Sequence, residues 1–224
     1  MKKTAYPVSE YKHLIHPDHF FTEKVLAQSW IIEFNHNEFI HRETESLYYL
    51  FYILEGKAKI LKNQPNGKRM ILQFLEERDF IGDLTLVDAE ETTKDVIAIG
   101  KTICLALPID YAKNEWMNEL EFVKMLSRYI GQKLMKRMEH FTTNQTFELK
   151  YRLAELLLAV SIDDLYKEKH TEIAEYLGVS YRHLLYTLKK FKDDGLIEKQ
   201  GTAYLIHRKK LQRLLKEAEF VQHK

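Results

Sequence analysis

Hydrophobic and polar positions change rhythm twice along the chain. From about Thr22 to Leu107 they form short apolar runs, VLAQSWIIEF, SLYYLFYILEG, KAKIL, NQPNGKRMILQFL and VIAIGKTICLAL, separated by turns. Runs this short, rich in β-branched and aromatic residues, predict strands. Asn66-Gly67 between two of them predicts a tight hairpin, because a type I′ turn needs positive φ at both central residues. Many short strands with little helical periodicity predict a β-sandwich or roll.

Pro108 closes the strand region, and Trp116 to Phe141 reads as one long helix. Val123, Leu126, Ile130, Leu134, Met138 and Phe141 fall on one face at helical spacing. Phe122, Met125 and Tyr129 form a second apolar stripe roughly 100 to 160° away. Two stripes need two covers. The β-region supplies one, and a second copy of the helix supplies the other, which predicts a homodimer; an ordinary buried helix is the alternative. The polar stretch FTTNQT, 141 to 146, predicts a linker. The expected organisation is a β-domain over 1–115, a dimerisation helix and linker over 116–143, and a second domain over 144–224 that opens with a helix from Glu148 to Val160.

Composition narrows this picture. At 224 residues, with 45% hydrophobic and 12% aromatic side chains, the chain can bury a sizeable core. The single cysteine, Cys104, excludes an internal disulfide and a cluster held only by this chain's thiolates, and fits a reducing cytoplasm with Cys104 as a core filler. MKKTAYPVSEYKHL lacks the apolar run of a secretory leader, and SLYYLFYIL is too short to span a bilayer. A soluble cytoplasmic protein with no membrane partner is expected. Net charge is only +1, but Ser180 to Lys216 holds ten Lys or Arg against three Asp or Glu, 10 − 3 = +7, which leaves 1 − 7 = −6 elsewhere. A basic end on an acidic protein suits a polyanion.

The sharpest local signal is HTEIAEYLGVSYRHLLYTLKKFKDDGLIEKQGTAYLI, 170 to 206. Ile173, Ala174 and Leu177 form the inner face of a first helix, with Ala174 small enough for a close crossing. Gly178 makes a tight turn, Val179 points inward, and Ser180 is suited to cap a second helix whose inner face is Leu184, Leu188 and Phe191. This is the spacing of a helix-turn-helix. The strands LIE and TAYLI, joined through KQG, predict a wing. Arg182, Tyr186 and Lys189 lie within roughly 60° of one another on the outward face, with His183 and Lys190 to one side. Arg182 can pair bidentately with guanine or phosphate, and Tyr186 can meet a thymine methyl or donate to phosphate. Lys189, Lys190, Lys199, Gln200 and His170 are candidates for the DNA backbone and its surroundings. Tyr181 either contacts bases or belongs to the rim of the core. A winged helix used for protein contacts is the competing reading.

LFYILEGKAKI (50–60), NGKRMILQFLEERDFIGDLTLVD (66–88), CLALP (104–108) and HTEIAEYLGVSYRHLLY (170–186) together make the chain resemble the Crp/Fnr family of transcription regulators along nearly its whole length. The resemblance implies an α+β fold: an N-terminal cyclic-nucleotide-binding-like β-roll (jelly roll), a long dimerisation helix and a C-terminal winged helix-turn-helix domain. It implies a homodimer on an inverted-repeat site in double-stranded DNA near promoters, with RNA polymerase as a further partner. Nucleotide-binding members carry a phosphate cassette that starts with Gly-Glu and ends with an arginine. Here Gly82 and Asp83 stand at the start and Thr92, Thr93 and Lys94 at the end; no arginine is present, and Thr44 replaces a glycine common in the preceding turn. A lysine lacks the planar fork that grips a phosphate. The expected sensor is therefore a degenerate one that does not bind cyclic AMP and needs no cofactor, and a regulator dependent on a cyclic nucleotide or another small ligand is the alternative. The recognition helix also departs from the common pattern, with Tyr181, Arg182 and Tyr186 at the base-reading positions.

A different class, a cupin-like metal enzyme, would use His13, His16, His19, His36 and His41. These lack the His-x-His spacing that puts two ligands on one strand face, so a non-enzyme without a metal is the expectation.

Overall fold

The computed structural model describes residues 5–15, 21–64, 67 and 69–222. It separates into two units, one of Met1–Lys62 with Leu72–Lys136, the other of Asn63–Ile71 with Arg137–Lys224.

The first unit begins with β1 (Ala5–Tyr6), a short helix α1 (Glu23–Ala27), β2 (Trp30–Phe34), β3 (Phe39–His41) and the long β4 (Tyr49–Asn63). It continues through β5 (Arg69–Leu75), β6 (Phe80–Ile81), the single turn α2 (Asp83–Leu86), β7 (Asp95–Pro108), α3 (Ile109–Asn114) and the long α4 (Leu120–Thr146). The sheet runs in the order β1-β2-β7-β4-β5, with β3 on β7 and β6 on β4. β4 and β7 pair antiparallel from Tyr49↔Pro108 to Leu61↔Asp95, with register shifts around Glu55.

The central strands show why SLYYLFYIL lacks the alternation of a half-exposed strand. Leu50, Tyr52 and Leu54 of β4 and Ile103, Leu105 and Leu107 of β7 enter one apolar cluster. The intervening Phe51, Ile53, Cys104 and Ala106 enter a second cluster on the opposite face. A strand buried on both faces reads as a continuous apolar run. Cys104 is fully buried in the second cluster. The first cluster is closed by Val25 of α1, Ala112 of α3, and Trp116, Phe122 and Leu126, with the Trp116 and Phe122 rings stacked at 3.7 Å.

Several sequence expectations are corrected here. Val25 to Ala27, the start of the run VLAQSWIIEF, is helical because the Thr22 hydroxyl accepts from the Val25 amide and caps the turn. SLYYLFYILEG and KAKIL form one strand, bent at its register shifts. Trp116–Asn118 is a separate 3₁₀ turn, set off from α4 by extended Glu119. FTTNQT does not interrupt the helix: Thr142 and Thr146 donate to the Met138 and Thr142 carbonyls, and α4 runs on to Thr146. The chain breaks instead at extended Glu148. Gly67 has the positive φ expected of the hairpin turn, +78°, while Asn66 lies outside the described residues.

The second unit packs α5 (Leu149–Val160) against α8 (Arg208–Gln222) beside α6 (His170–Tyr176) and α7 (Tyr181–Asp193). A three-stranded sheet orders β8 (Leu165–Tyr166), β10 (Ala203–Ile206) and β9 (Ile197–Gln200). β9 and β10 are the expected wing, and β8 is an additional strand that pairs Tyr166 with Tyr204.

Phe122 is 1% exposed and Leu120, at the start of the same helix, 66%. Phe122→Ala is expected to lower the stability of the first unit by roughly 3–5 kcal/mol, and Leu120→Ala by less than about 0.5 kcal/mol. Urea unfolding of both variants checks this; equal losses would mean that α4 is not anchored through its inner face.

Candidate nucleic-acid interface and sensor site

In the second unit, Ile173, Ala174 and Leu177 are buried against Leu184, Leu188 and Phe191, which forms the inner seam of the helix-turn-helix. Gly178 has φ +64° with open space around its Cβ position, so left-handed backbone rather than crowding calls for glycine there. Val179 is half-buried. The Ser180 hydroxyl accepts the His183 amide at 3.2 Å and caps α7.

With its inner face buried, α7 leaves Tyr181, Arg182, His183, Tyr186, Lys189 and Lys190 exposed. Tyr181 is 48% exposed and Tyr186 69%, which takes Tyr181 out of the core rim and onto the outward side. Lys199 and Gln200, on β9, are exposed as well. His170 differs: it is half-buried at the start of α6, with Tyr166 stacked on it and Tyr204 tilted against it, both at 5.8 Å. Burial holds its imidazole below the usual range, so at neutral pH it offers a neutral donor rather than a cation. Two other basic residues, both exposed, are bonded to local partners. Arg208 donates to Asp164 at 2.9 Å, and Lys210 donates to the Gly195 carbonyl at 2.8 Å.

A polar cluster that sequence reasoning passed over supports the turn between α6 and α7. Arg152 of α5 donates to Asn144 Oδ1 at 3.0 Å and to the Leu177 carbonyl. Asn144 donates to the Tyr176 carbonyl at 3.0 Å, and the His140 ring stacks on Tyr176 at 4.1 Å. These side chains satisfy carbonyls that the end of α6 leaves without helical partners. The available signal was a lone arginine on the mostly apolar helix α5, with His140 and Asn144 four residues apart on the preceding helix.

In the first unit, Gly82 adopts φ +94° before α2, and a Cβ there would meet Leu47 Cδ2 at 2.6 Å. Both oxygens of the buried Asp83 carboxylate receive Lys133 Nζ of α4, at 2.8 and 2.9 Å. Thr93 is buried with its hydroxyl 2.6 Å from that of Thr85, and Thr92 is exposed. Lys94 donates to the Thr92 carbonyl at 3.1 Å and lies 3.6 Å from both Glu43 and Glu90. The five cassette residues therefore do not converge. Thr92 and Thr93 line a cavity of about 330 Å³ with Thr44, Ser46, Thr85 and others, while Gly82, Asp83 and Lys94 are not among its lining residues. Four carboxylates, Glu43, Glu45, Glu91 and Asp110, face one lysine, Lys113, in that lining. Lys113 is itself bonded to Asp88 at 2.8 Å.

On α4, Leu126 is 1% exposed inside the roll's first cluster and Ile130 packs against that cluster. Leu126 therefore leaves the free stripe, because the sheet already covers it, and Val123 is half-buried. Leu134, Met138 and Phe141 remain 57, 56 and 66% exposed.

Of the candidate histidines, His36 Nδ1 accepts the Gly100 amide at 3.1 Å, His41 is buried in β3, and His13 stacks on Tyr11. His16 and His19 lie outside the described residues. Among the described residues no three His, Cys, Asp or Glu side chains converge as a metal site, and no helix is long and apolar enough to cross a membrane.

Comparison with known proteins agrees with this division. Residues 31–118 match the cyclic nucleotide-binding domain family and residues 151–214 the Crp-like helix-turn-helix domain. The chain is 37% identical over 193 residues to the regulatory protein YeiL of Escherichia coli O157:H7, covering 86% of this chain and 88% of that one. It is 27% identical over 169 residues to the cAMP-activated global transcriptional regulator CRP of Salmonella typhimurium, covering 70 and 80%. A solved Crp/Fnr-family regulator from Eubacterium rectale shares the fold with a TM-score of 0.71 at 16% identity, over 94% of this chain and 98% of that one. A CRP-family regulator from Thermus thermophilus does so with a TM-score of 0.64 at 19% identity, over 82 and 96%. The chain belongs to the Crp/Fnr family of DNA-binding transcription regulators and is not an enzyme.

Proposed function

We propose that the protein binds an inverted-repeat DNA site as a homodimer, with one α7 of each copy in the major groove. The observation that carries this reading is the outward face of α7, where Tyr181, Arg182 and Tyr186 are exposed on a helix whose other side is fully packed. Arg182 is assigned to a base edge or paired phosphates, with Tyr181 and Tyr186 beside it. His183, Lys189 and Lys190, with Lys199 and Gln200 of the wing, are assigned to the flanking backbone, and His170 to a neutral phosphate contact.

The dimer reading is supported by Leu134, Met138 and Phe141, an apolar stripe at i, i+4, i+7 that the chain leaves uncovered. Ser127 and Gly131 continue the same stripe toward the N-terminus with small side chains, and Gly131 has open space at its Cβ position. A second helix could approach closely there. The sensor reading is supported by charge. The cavity's one lining lysine is already paired to Asp88. Glu91 and Asp110 add negative charge to Glu43 and Glu45, which sit beside Lys94 and Arg42, and Lys94 is held between two glutamates, so the site offers a phosphate little attraction. Cyclic AMP is therefore not its ligand.

Three outcomes test this reading. Arg182→Ala is expected to weaken binding to a site selected from random DNA by about 1–3 kcal/mol while leaving random DNA nearly unchanged, in anisotropy titrations at fixed salt. Equal losses on both would reduce Arg182 to a phosphate contact. Met138→Asp with Phe141→Asp is expected to convert a sedimenting dimer into a monomer, since burying two carboxylates in an apolar seam is costly; a dimer that persists would place the interface elsewhere. Titration calorimetry with cyclic AMP is expected to show no saturable binding up to about 1 mM, and micromolar binding would restore the nucleotide as effector.

A further inference from the structure

Two polar side chains one turn apart on α4 reach the same corner of the roll. The Tyr129 hydroxyl donates to Asp79 Oδ1 at 3.0 Å and accepts the Phe80 amide at 2.9 Å. Lys133 Nζ donates to both oxygens of Asp83, at 2.8 and 2.9 Å, and lies 3.4 Å from the Phe80 carbonyl. The Lys133 and Asp83 side chains are 5 and 4% exposed. The ammonium has three acceptors within reach, and both carboxylate oxygens already accept from it in a buried setting. Asp79 is held in turn by the Glu76 amide at 2.8 Å.

Apolar contacts tolerate sliding and rotation, whereas a buried, fully hydrogen-bonded ion pair tolerates one setting. At roughly 100° per residue, Tyr129 and Lys133 lie within about 40° of each other, and Leu134, Met138 and Phe141 lie about 80 to 140° round from Lys133. Fixing Lys133 therefore fixes the direction in which the uncovered stripe points.

We propose that Asp83 and Lys133, backed by Tyr129 on Asp79 and Phe80, form an internal latch that sets the rotation of α4 without a small molecule. Asp83, at the cassette turn, is a structural partner of the long helix rather than a ligand group. Lys133 and Tyr129 are positioning residues for the dimer seam and, through it, for DNA binding. This rests on the homodimeric regulator reading above.

The test uses the full chain, unfolded in denaturant, desalted and refolded to remove co-purified small molecules. The stripped wild-type protein is expected to bind its selected DNA site as tightly as before stripping. Lys133→Met, which leaves Asp83 buried without its cation, is expected to speed amide exchange in α4 between residues 126 and 141 by on the order of tenfold, with α5 to α7 unchanged. It is also expected to weaken the selected site by about tenfold and random DNA far less. Asp83→Asn with Lys133→Gln restores a neutral hydrogen-bonded pair and is expected to recover most of both losses, which separates the latch from a general folding defect. Unchanged exchange in Lys133→Met would overturn the latch, as would a stripped wild-type protein that binds only after cell extract is returned. Exchange is measured without DNA, so it decides the latch even if the wild-type chain retains no DNA at low salt, a result that would overturn the regulator reading instead.

Discussion

The sheet's two central strands are apolar on both faces, and the rest of the first unit follows from that constraint. Phe51, Ile53, Cys104 and Ala106 fill the inside of the roll, and Leu50, Tyr52, Leu105 and Leu107 need a second cover on the outside. Burial of that much apolar surface is the dominant favourable term in folding. The cover comes from α1, α3, the Trp116 turn and the first half of α4, so the long helix begins as part of a core. Its second half has no such duty, and Leu134, Met138 and Phe141 are consequently free for another surface.

Apolar burial brings elements together but sets their angles loosely, and polar contacts supply the setting in both units. In the first, Lys133 and Tyr129 bind the corner at Phe80 and Asp83. Burial raises both the Asp79 carboxyl and the Tyr129 hydroxyl above their ordinary values, and the phenol stays a donor to that carboxyl. In the second, His140, Asn144 and Arg152 gather the Tyr176 and Leu177 carbonyls at the end of α6. Those carbonyls precede Gly178, so the grip lies directly before the turn that orients α7.

Patterns that depend on a local period were legible in the chain. The helix-turn-helix, its Ser180 cap and the wing strands appear where spacing and turn residues placed them. Errors arose where tertiary contacts overrule local texture. The polar end of α4 looks like a linker, yet Asn144 within it is bonded to the Tyr176 carbonyl and to Arg152. Leu126 shares a helical face with Leu134, and only the position of the sheet decides that one is buried and the other free. The two-residue strand β8 is too short to carry a period. The Asp83–Lys133 pair joins residues 50 positions apart, and nothing local marks them as partners. The cassette was readable as residue types, but not the withdrawal of Asp83 and Lys94 from the cavity.

Charge shows the same difference between composition and placement. Ten positive residues between Ser180 and Lys216 suggest a strongly adhesive surface. Arg208 and Lys210, though exposed, are already bonded to Asp164 and the Gly195 carbonyl, and burial holds His170 neutral at neutral pH. What faces outward on α7 and the wing is a smaller set, Arg182, Lys189, Lys190, Lys192 and Lys199. Each phosphate so neutralised releases counterions and adds affinity without sequence preference, whatever the operator. Selectivity must then come from the few side chains on that face with more to offer than a point charge. Arg182 has a planar fork, and Tyr181 and Tyr186 present broad rings to water in the free protein. Such rings gain most where a base edge or thymine methyl excludes that water, which is why the tyrosine-flanked arginine, rather than the lysine-rich terminus, is the part of the domain proposed to tell one DNA sequence from another.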